Sequence, residues 1–321
     1  MAPRGLLSGI AAAMIVASPG AIAQYPSKPI RLVVPNPPGG AVDTLARLLS
    51  PALSKRLGQP LVVENRVGSN GNIAIELVAR ASADGYTLII GADAQIVINP
   101  HLYPAFPVDT LRDLAPIASI ATTFMMLTVN PALPARTIQE FIEHARRANP
   151  PLAYASIGNG SQHHLTMELF KQRAGIDMLH IPYKGGGPAT VAILAGDVAV
   201  MFGGNSTAAH IKSGKLRGLA VASTRRSRAH PDLPALSELY PGVEATTWIA
   251  LFAPAGTAEP LITRLRDEIA VVLNETETRE RFANAGGMEP FATTPAELSA
   301  LIKTDYAKYG AIVKAVGVKV D

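Results

Sequence analysis

Short apolar runs rich in β-branched residues alternate with segments of helical period, and the alternation begins twice along the chain. That pattern confines the fold to sheets of largely parallel strands joined by crossover helices. Ile30 to Val34 reads as a strand. Asn36-Pro37-Pro38-Gly39-Gly40 follows and cannot be helical; Val42, Leu45, Leu48, Leu49, Ala52 and Leu53 then recur at helical spacing up to Gly58. Leu61 to Val63 is a second strand, Asn72 to about Ala81 a helix, and Tyr86 to Ile90 a third strand after the Asp84-Gly85 turn. The second unit opens with a strand at Leu127 to Val129 and a helix that Thr137 caps, running to about Arg147. Strands follow at Leu152 to Ala155, Met178 to Ile181, Val198 to Phe202 and Leu216 to Val221, with helices at Gln162 to Arg173 and Pro188 to Leu194. Beyond Pro234, Thr246 to Ala253 is strand-like, and Glu259 to Leu273, Glu277 to Ala285 and Pro295 to Val316 are helical. At 321 residues the chain is long enough for two domains. Two α/β units and a helical tail predict two lobes with a cleft between them.

Met1 to Ala23 reads as a secretory address. Arg4 supplies the positive start, Leu6 to Ser18 is mostly apolar, and Ala21-Ile22-Ala23 is an A-x-A cleavage site. The apolar stretch is shorter than the ~20 residues a membrane-spanning helix needs. Mature protein is expected to begin near Gln24 or Tyr25. The chain has no cysteine, which excludes disulfides, thiolate nucleophiles and cysteine-held metals. Its formal charge is only +4, with Arg225, Arg226 and Arg228 the sole basic cluster, and aromatics are 5%. No nucleic-acid-binding surface follows from that composition.

In open α/β sheets, ligands sit beyond the carboxyl ends of the strands. Five such ends carry polar, glycine-rich loops: Pro35 to Asp43, Gly91 to Gln95, Ser156 to His164, Tyr183 to Gly187 and Gly203 to Thr207. Each leads into an expected helix start. A helix N-terminus leaves backbone N–H groups free and carries roughly half a positive charge. Glycine lets those groups approach a ligand without a Cβ in the way. One such loop is ordinary turn chemistry; five together in two consecutive α/β units point to an anion-binding cleft. Neither a dinucleotide fingerprint nor a phosphate-binding G-x-x-x-x-G-K-[ST] loop is present, so no cofactor is expected.

His163 and His164 beside Ser161 suggest acyl transfer at first sight. Ser161 does not sit in a G-x-S-x-G elbow, however, and reads better as a helix N-cap. Adjacent helical residues point in different directions, so one of the two histidines is expected to face the cleft. No H-x₃-H or H-E-x-x-H pattern marks a metal site, and His101, His144, His180, His210 and His230 are isolated in sequence. Asp43 fits the first turn of a helix, Asp93 could read a ligand group or hold its own loop, and Trp248 reads as core or hinge packing.

Segments along the whole mature chain resemble one family. They include Tyr25-Pro26-Ser27-Lys28-Pro29-Ile30-Arg31-Leu32-Val33-Val34-Pro35, Pro37-Pro38-Gly39-Gly40, Val63-Glu64-Asn65-Arg66, Gly71-Asn72-Ile73 and Ala83-Asp84-Gly85-Tyr86-Thr87-Leu88. Ile98-Asn99-Pro100, Gly158-Asn159-Gly160-Ser161 with His164-Leu165, Pro182-Tyr183-Lys184-Gly185, His210 to Leu216 and Ala253-Pro254-Ala255-Gly256-Thr257 continue the match. The chain resembles the periplasmic solute-binding receptors of tripartite tricarboxylate transporters, the Bug family. The resemblance implies an α/β, two-lobed fold like the type II periplasmic binding proteins, each lobe a mainly parallel sheet flanked by helices, joined by two crossover strands. It implies a discontinuous first lobe, 24–124 plus 223–321, a second lobe at 125–222, and a signal peptide at 1–23. The implied function is non-enzymatic: a monomeric receptor, without cofactor, that captures a small organic carboxylate and presents it to membrane transporter subunits. Carried over, Pro37, Pro38, Gly39, Gly40, Asp43, Ser156, Asn159, Gly160, Ser161 and His164 form the shared carboxylate end. Ala92, Asp93, Gln95, Gly186, Gly187, Gly204 and Asn205 shape the variable end. Asn36 stands where an aromatic is common, and Gly203-Gly204 where an acid is often seen. The missing acid favours a dicarboxylate or aromatic acid over an amino acid. Three alternatives stay open: an exported hydrolase using Ser156 or Ser161, a sensor subunit for a membrane kinase, and a receptor for a cofactor fragment such as nicotinate.

Overall fold

The computed structural model describes residues 25–227, 230–285 and 288–318. The expected secretory address and Arg228 lie outside the described residues. Strands β1 (Ile30–Val34), β2 (Leu61–Asn65), β3 (Thr87–Ala92) and β4 (Leu114–Phe124) alternate with helices α1 (Ala41–Leu57), α2 (Asn72–Ala79) and the short α3 (Asn99–Leu102). The chain then passes directly into β5 (Met126–Val129). From there it runs through α4 (Ile138–Arg147), β6 (Leu152–Ser156), α5 (Gln162–Ala174), β7 (Met178–Pro182), α6 (Gly186–Ala195), β8 (Val200–Gly203), α7 (Asn205–Lys212) and β9 (Arg217–Val221). It returns through α8 (Leu236–Leu239) to β10 (Thr246–Pro254), then α9 (Glu259–Asn274), α10 (Thr276–Asn284), β11 (Glu289–Pro290) and α11 (Pro295–Val316).

Two sheets result, ordered β11-β4-β10-β3-β1-β2 and β7-β6-β8-β5-β9. The expected parallel pairing holds at β1–β2, β1–β3, β6–β7 and β6–β8. The strands next to the two crossings, β4, β5, β9 and β10, pair antiparallel, which makes both sheets mixed. Adjacent residues of one strand serve opposite faces, as the two-residue period of a strand requires. Leu32, Leu88 and Leu251 pack with Leu45 and Leu49 of α1 and Ile269 of α9. Val33, Ile89 and Phe252 pack with Ile75 and Val78 of α2 and Leu298 and Ile302 of α11. The second sheet is covered likewise, by Phe141 and Phe170 on one face and Ala192 and Ile193 on the other. Leu165 of α5 belongs to the first sheet's core rather than the second's, so α5 docks against α11 across the two halves. Trp248 is buried on β10 and its Nε1 donates to Asp305 Oδ2 at 2.7 Å, the core role expected of it. Among the described residues no helix is long and apolar enough to cross a membrane.

Candidate functional site

The carboxyl ends of β1, β3, β6 and β8 open on one cleft of about 360 Å³ between the two sheets. Helix α1 enters its wall after the Pro37–Gly40 turn, with Gly40 as N-cap and no side-chain cap bond. From the other sheet, α6 begins after Gly185 and α7 after Gly204, again without a side-chain cap. Helix α5, which also starts at the cleft, is capped by Ser161; away from it α4 and α11 are capped by Thr137 and Thr294, while α9 and α10 carry no side-chain cap either. Three helix N-termini thus meet the cleft with donors unclaimed by their own caps, each preceded by a glycine that leaves space. The starts of α6 and α7 touch: a Cβ on Gly186 would stand 3.0 Å from Ser206 Oγ. Lys184 stands exposed at the rim.

Asp93 is the sole carboxyl on the cleft walls among the described residues, and it is fully buried. Its Oδ1 accepts from Ala94 N at 2.9 Å and its Oδ2 from Gln162 Nε2 at 2.6 Å. Burial, reinforced by the nearby Asp305 charge, pushes its carboxyl well above the usual range. Apolar wall comes from Val42, Phe124, Met125, Ile157 and Ile249, giving the cleft the mixed lining typical of small-molecule sites.

Of the residues singled out from the sequence, Pro37, Pro38, Gly39, Gly40, Ala92, Asp93, Gln95, Ser161, Gly186, Gly187 and Gly204 line this cleft. The side chain of Asn205 lies outside the described residues. Asp43, Ser156, Asn159, Gly160 and His164 stand off the lining, for identifiable reasons. Asp43 is turned inward: Oδ2 accepts from Gly39 N at 2.8 Å and Oδ1 from Asn65 Nδ2 at 2.8 Å, with Arg47 paired alongside. Burial raises its pKa, but the bonds from Arg47, Gly39 and Asn65 outweigh that and leave it below the ordinary carboxylate range. It shapes the Pro37–Gly40 turn from behind. Asn159 is exposed on the tip of its turn. Gly160, at φ +70°, presses on the first half: a Cβ there would meet Leu102 Cδ1 at 2.6 Å. His164 Nδ1 accepts from Gly160 N at 3.0 Å, and its ring stacks on His180 at 3.8 Å between centroids.

His180, isolated in sequence, is therefore the partner of two expected site residues, since its Nε2 also lies 2.7 Å from Ser156 Oγ. Ser156 is completely buried and takes further bonds with Gly158 O and Gly158 N. The pair braces the β6 turn; no substrate reaches that hydroxyl. Ser161 is the N-cap of α5 as expected, accepting from His164 N at 3.3 Å and donating to Gly158 O at 2.7 Å.

Sequence reasoning missed several lining residues. His163, not His164, faces the cleft; Asn70, Gln162, Thr123 and Thr247 join it. Gln162 spans the two halves, with Nε2 donating to Asp93 and to Tyr309 Oη at 2.6 Å each and Oε1 accepting from Thr247 Oγ1. The signal for His163 was present in the adjacent pair of histidines, but the helical phase that separates them was not.

Two mixed α/β halves around a shared cleft, lined by uncapped helix starts, define a solute-binding protein of the two-lobed periplasmic type. Residues 45–318 match the model of the "Tripartite tricarboxylate transporter family receptor". Protein BugT of Bordetella pertussis is 37% identical over 307 residues, covering 95% of this chain and 94% of that protein. Among solved structures, R. palustris Rpa4515 with adipate is 32% identical at a TM-score of 0.86, covering 92% of this chain and 99% of that one. MatC from Rhodopseudomonas palustris, with bound malate, is 28% identical at a TM-score of 0.79, covering 90% of this chain and 100% of that one. The chain belongs to the tripartite tricarboxylate transporter receptor family, whose members are periplasmic and bind solutes rather than transform them.

Proposed function

We propose that this receptor captures a small organic carboxylate, a dicarboxylate or an aromatic acid, between its lobes and presents it, as a monomer, to a membrane transporter of the tripartite tricarboxylate type. The observation that carries the reading is the convergence of the uncapped starts of α1, α6 and α7 on one cleft whose described walls carry a single carboxyl, Asp93, with both oxygens already hydrogen-bonded. A carboxylate there gains charge-assisted hydrogen bonds from main-chain N–H groups and needs no arginine. The adipate and malate held by two related proteins support the same ligand class. In this reading Pro37, Gly39, Gly40, Ser161, Gly186, Gly187 and Gly204 border the ligand directly, and Asp43, Ser156, Gly160 and His164 hold their turns in place. The lobes divide as 24–124 with 223–321, and 125–222, and a signal peptide is removed near Ala23 before the protein works in the periplasm.

Native mass spectrometry of the protein as purified names the guest directly. A carboxylate of suitable mass is expected, and adding it to ligand-free protein should raise the melting temperature, as binding to the native state must. A broad carboxylate screen with no thermal shift on protein proven ligand-free would count against the proposal. Co-purification with a membrane kinase, rather than with permease subunits, would replace transport by sensing.

A further inference from the structure

Among the described residues, three buried side-chain polar atoms lack a hydrogen-bond partner. Two of them, His163 Nδ1 and Asn36 Oδ1, belong to residues lining the same cleft. They come from opposite halves: Asn36 follows β1, and His163 sits in the first turn of α5. A buried polar atom left unpaired forfeits the bond it makes to water when unfolded, and native proteins keep few of them. Two on the walls of one ligand cleft mark where a guest completes the bonding.

The chemistry of the two atoms restricts that guest. Burial pushes the His163 imidazole down to about 4, so at neutral pH the ring is uncharged and is no counter-charge for a carboxylate. A neutral imidazole has one donor and one acceptor nitrogen, and an amide oxygen only accepts. An ionised carboxylate also only accepts, so a second one would meet the Asn36 oxygen with nothing to share. A hydroxyl donates and accepts. It accepts from a protonated Nδ1 while donating its own proton to the amide oxygen; with the proton on Nε2 it donates to Nδ1 instead and leaves the amide oxygen unmet.

We propose that the guest is a hydroxyl-bearing carboxylate and that His163 is the residue that selects the hydroxyl, with Asn36 assisting from the facing lobe. This rests on the carboxylate reading above and narrows it. The test is isothermal titration of ligand-free protein with two matched pairs, benzoate against 4-hydroxybenzoate and succinate against malate. In at least one pair the hydroxylated member should bind about tenfold tighter or more, the ratio expected for one well-made hydrogen bond. In His163→Phe, which keeps an aromatic ring and removes its nitrogens, that ratio should fall to within about twofold, whatever the change in absolute affinity. His163→Asn, which restores a polar side chain, should recover part of the preference, and melting curves of both variants verify that they fold. Equal or weaker binding of the hydroxylated member in both pairs overturns this inference and leaves the carboxylate reading standing. So does a preference that survives His163→Phe. If none of the four binds, the guest named by native mass spectrometry decides: a carboxylate without a hydroxyl overturns this inference alone, and a guest that is no carboxylate overturns both.

Discussion

Two adjacent histidines at the start of α5 do different work because about 100° of helical rotation separates them. His163 faces the ligand cleft, while His164 faces inward, holds the Gly160 N–H and stacks on His180. Burial pushes both imidazoles to about 4 from the ordinary 6.5, helped at His164 by the neighbouring His180. As pH falls below 6.5, the unfolded chain takes up protons at these positions before the folded chain does. Stability is therefore lost between pH 6.5 and 4 and levels off below. Asp93 and Asp305 run the other way, because their carboxyls are raised, so the histidine contribution is read as a difference. The parent should lose roughly 2–4 kcal/mol more than a His163→Asn, His164→Asn double variant across that window, after discounting the partly exposed His163 ring. Parallel pH profiles of urea-unfolding free energy for the two proteins would sink this assignment.

At the scale of elements, three of the helices that start at the cleft, α1, α6 and α7, carry no side-chain cap, while α5 is capped by Ser161. Gly204 is the N-cap of α7, with φ −121° and no atom within 4 Å of where a Cβ would stand. Gly204→Asp should therefore fit, cap α7 and add a few tenths of a kcal/mol to stability. The same carboxylate would occupy the free N–H groups and place a negative charge in the cleft. Carboxylate affinity is expected to fall at least about tenfold while the melting temperature holds or rises. Loss of both together would mean that the helix start serves only the fold. Gly203 differs: a Cβ there would lie 2.2 Å from Thr207 Oγ1, so the acid often found in this region has no room at that position. These glycine-rich helix starts were legible in the sequence because turn chemistry and helical period announce themselves locally, as for α1 after Pro37–Gly40. Strand β4 was not legible, although it is 11 residues long. Its sequence, Leu-Ala-Pro-Ile-Ala-Ser-Ile-Ala-Thr-Thr-Phe, shows no clean alternation and contains Pro116; antiparallel pairing with β10 makes it a strand. The Ser156–His180 and Gln162–Asp93 contacts were illegible for the same reason: the first pair, 24 positions apart, meets only when β6 pairs with β7, and the second, 69 apart, only when the two halves come together.

For the whole molecule, the halves are tied by the β4–β5 passage, the return from β9 to β10 and the seam of α5 on α11. Gln162 fastens that seam, because one amide meets Asp93, Tyr309 and Thr247 of the opposite half. Beside it Gly160 abuts Leu102 of α3. A ligand draws the lobes together only by binding the closed arrangement better. Gln162→Ala removes a buried amide and leaves three polar partners short of a bond, which should cost roughly 2–4 kcal/mol of unfolding free energy. It should also loosen the alignment of the lobes in ligand-free protein. Apparent affinity then drops by the factor by which the binding-competent population drops. Small-angle scattering should show a larger radius of gyration for the ligand-free variant than for the parent, and the same radius for both once saturated with the carboxylate recovered by native mass spectrometry. If the variant matches the parent in radius and affinity while losing only stability, Gln162 is a packing residue and the pivot lies in the crossover strands alone.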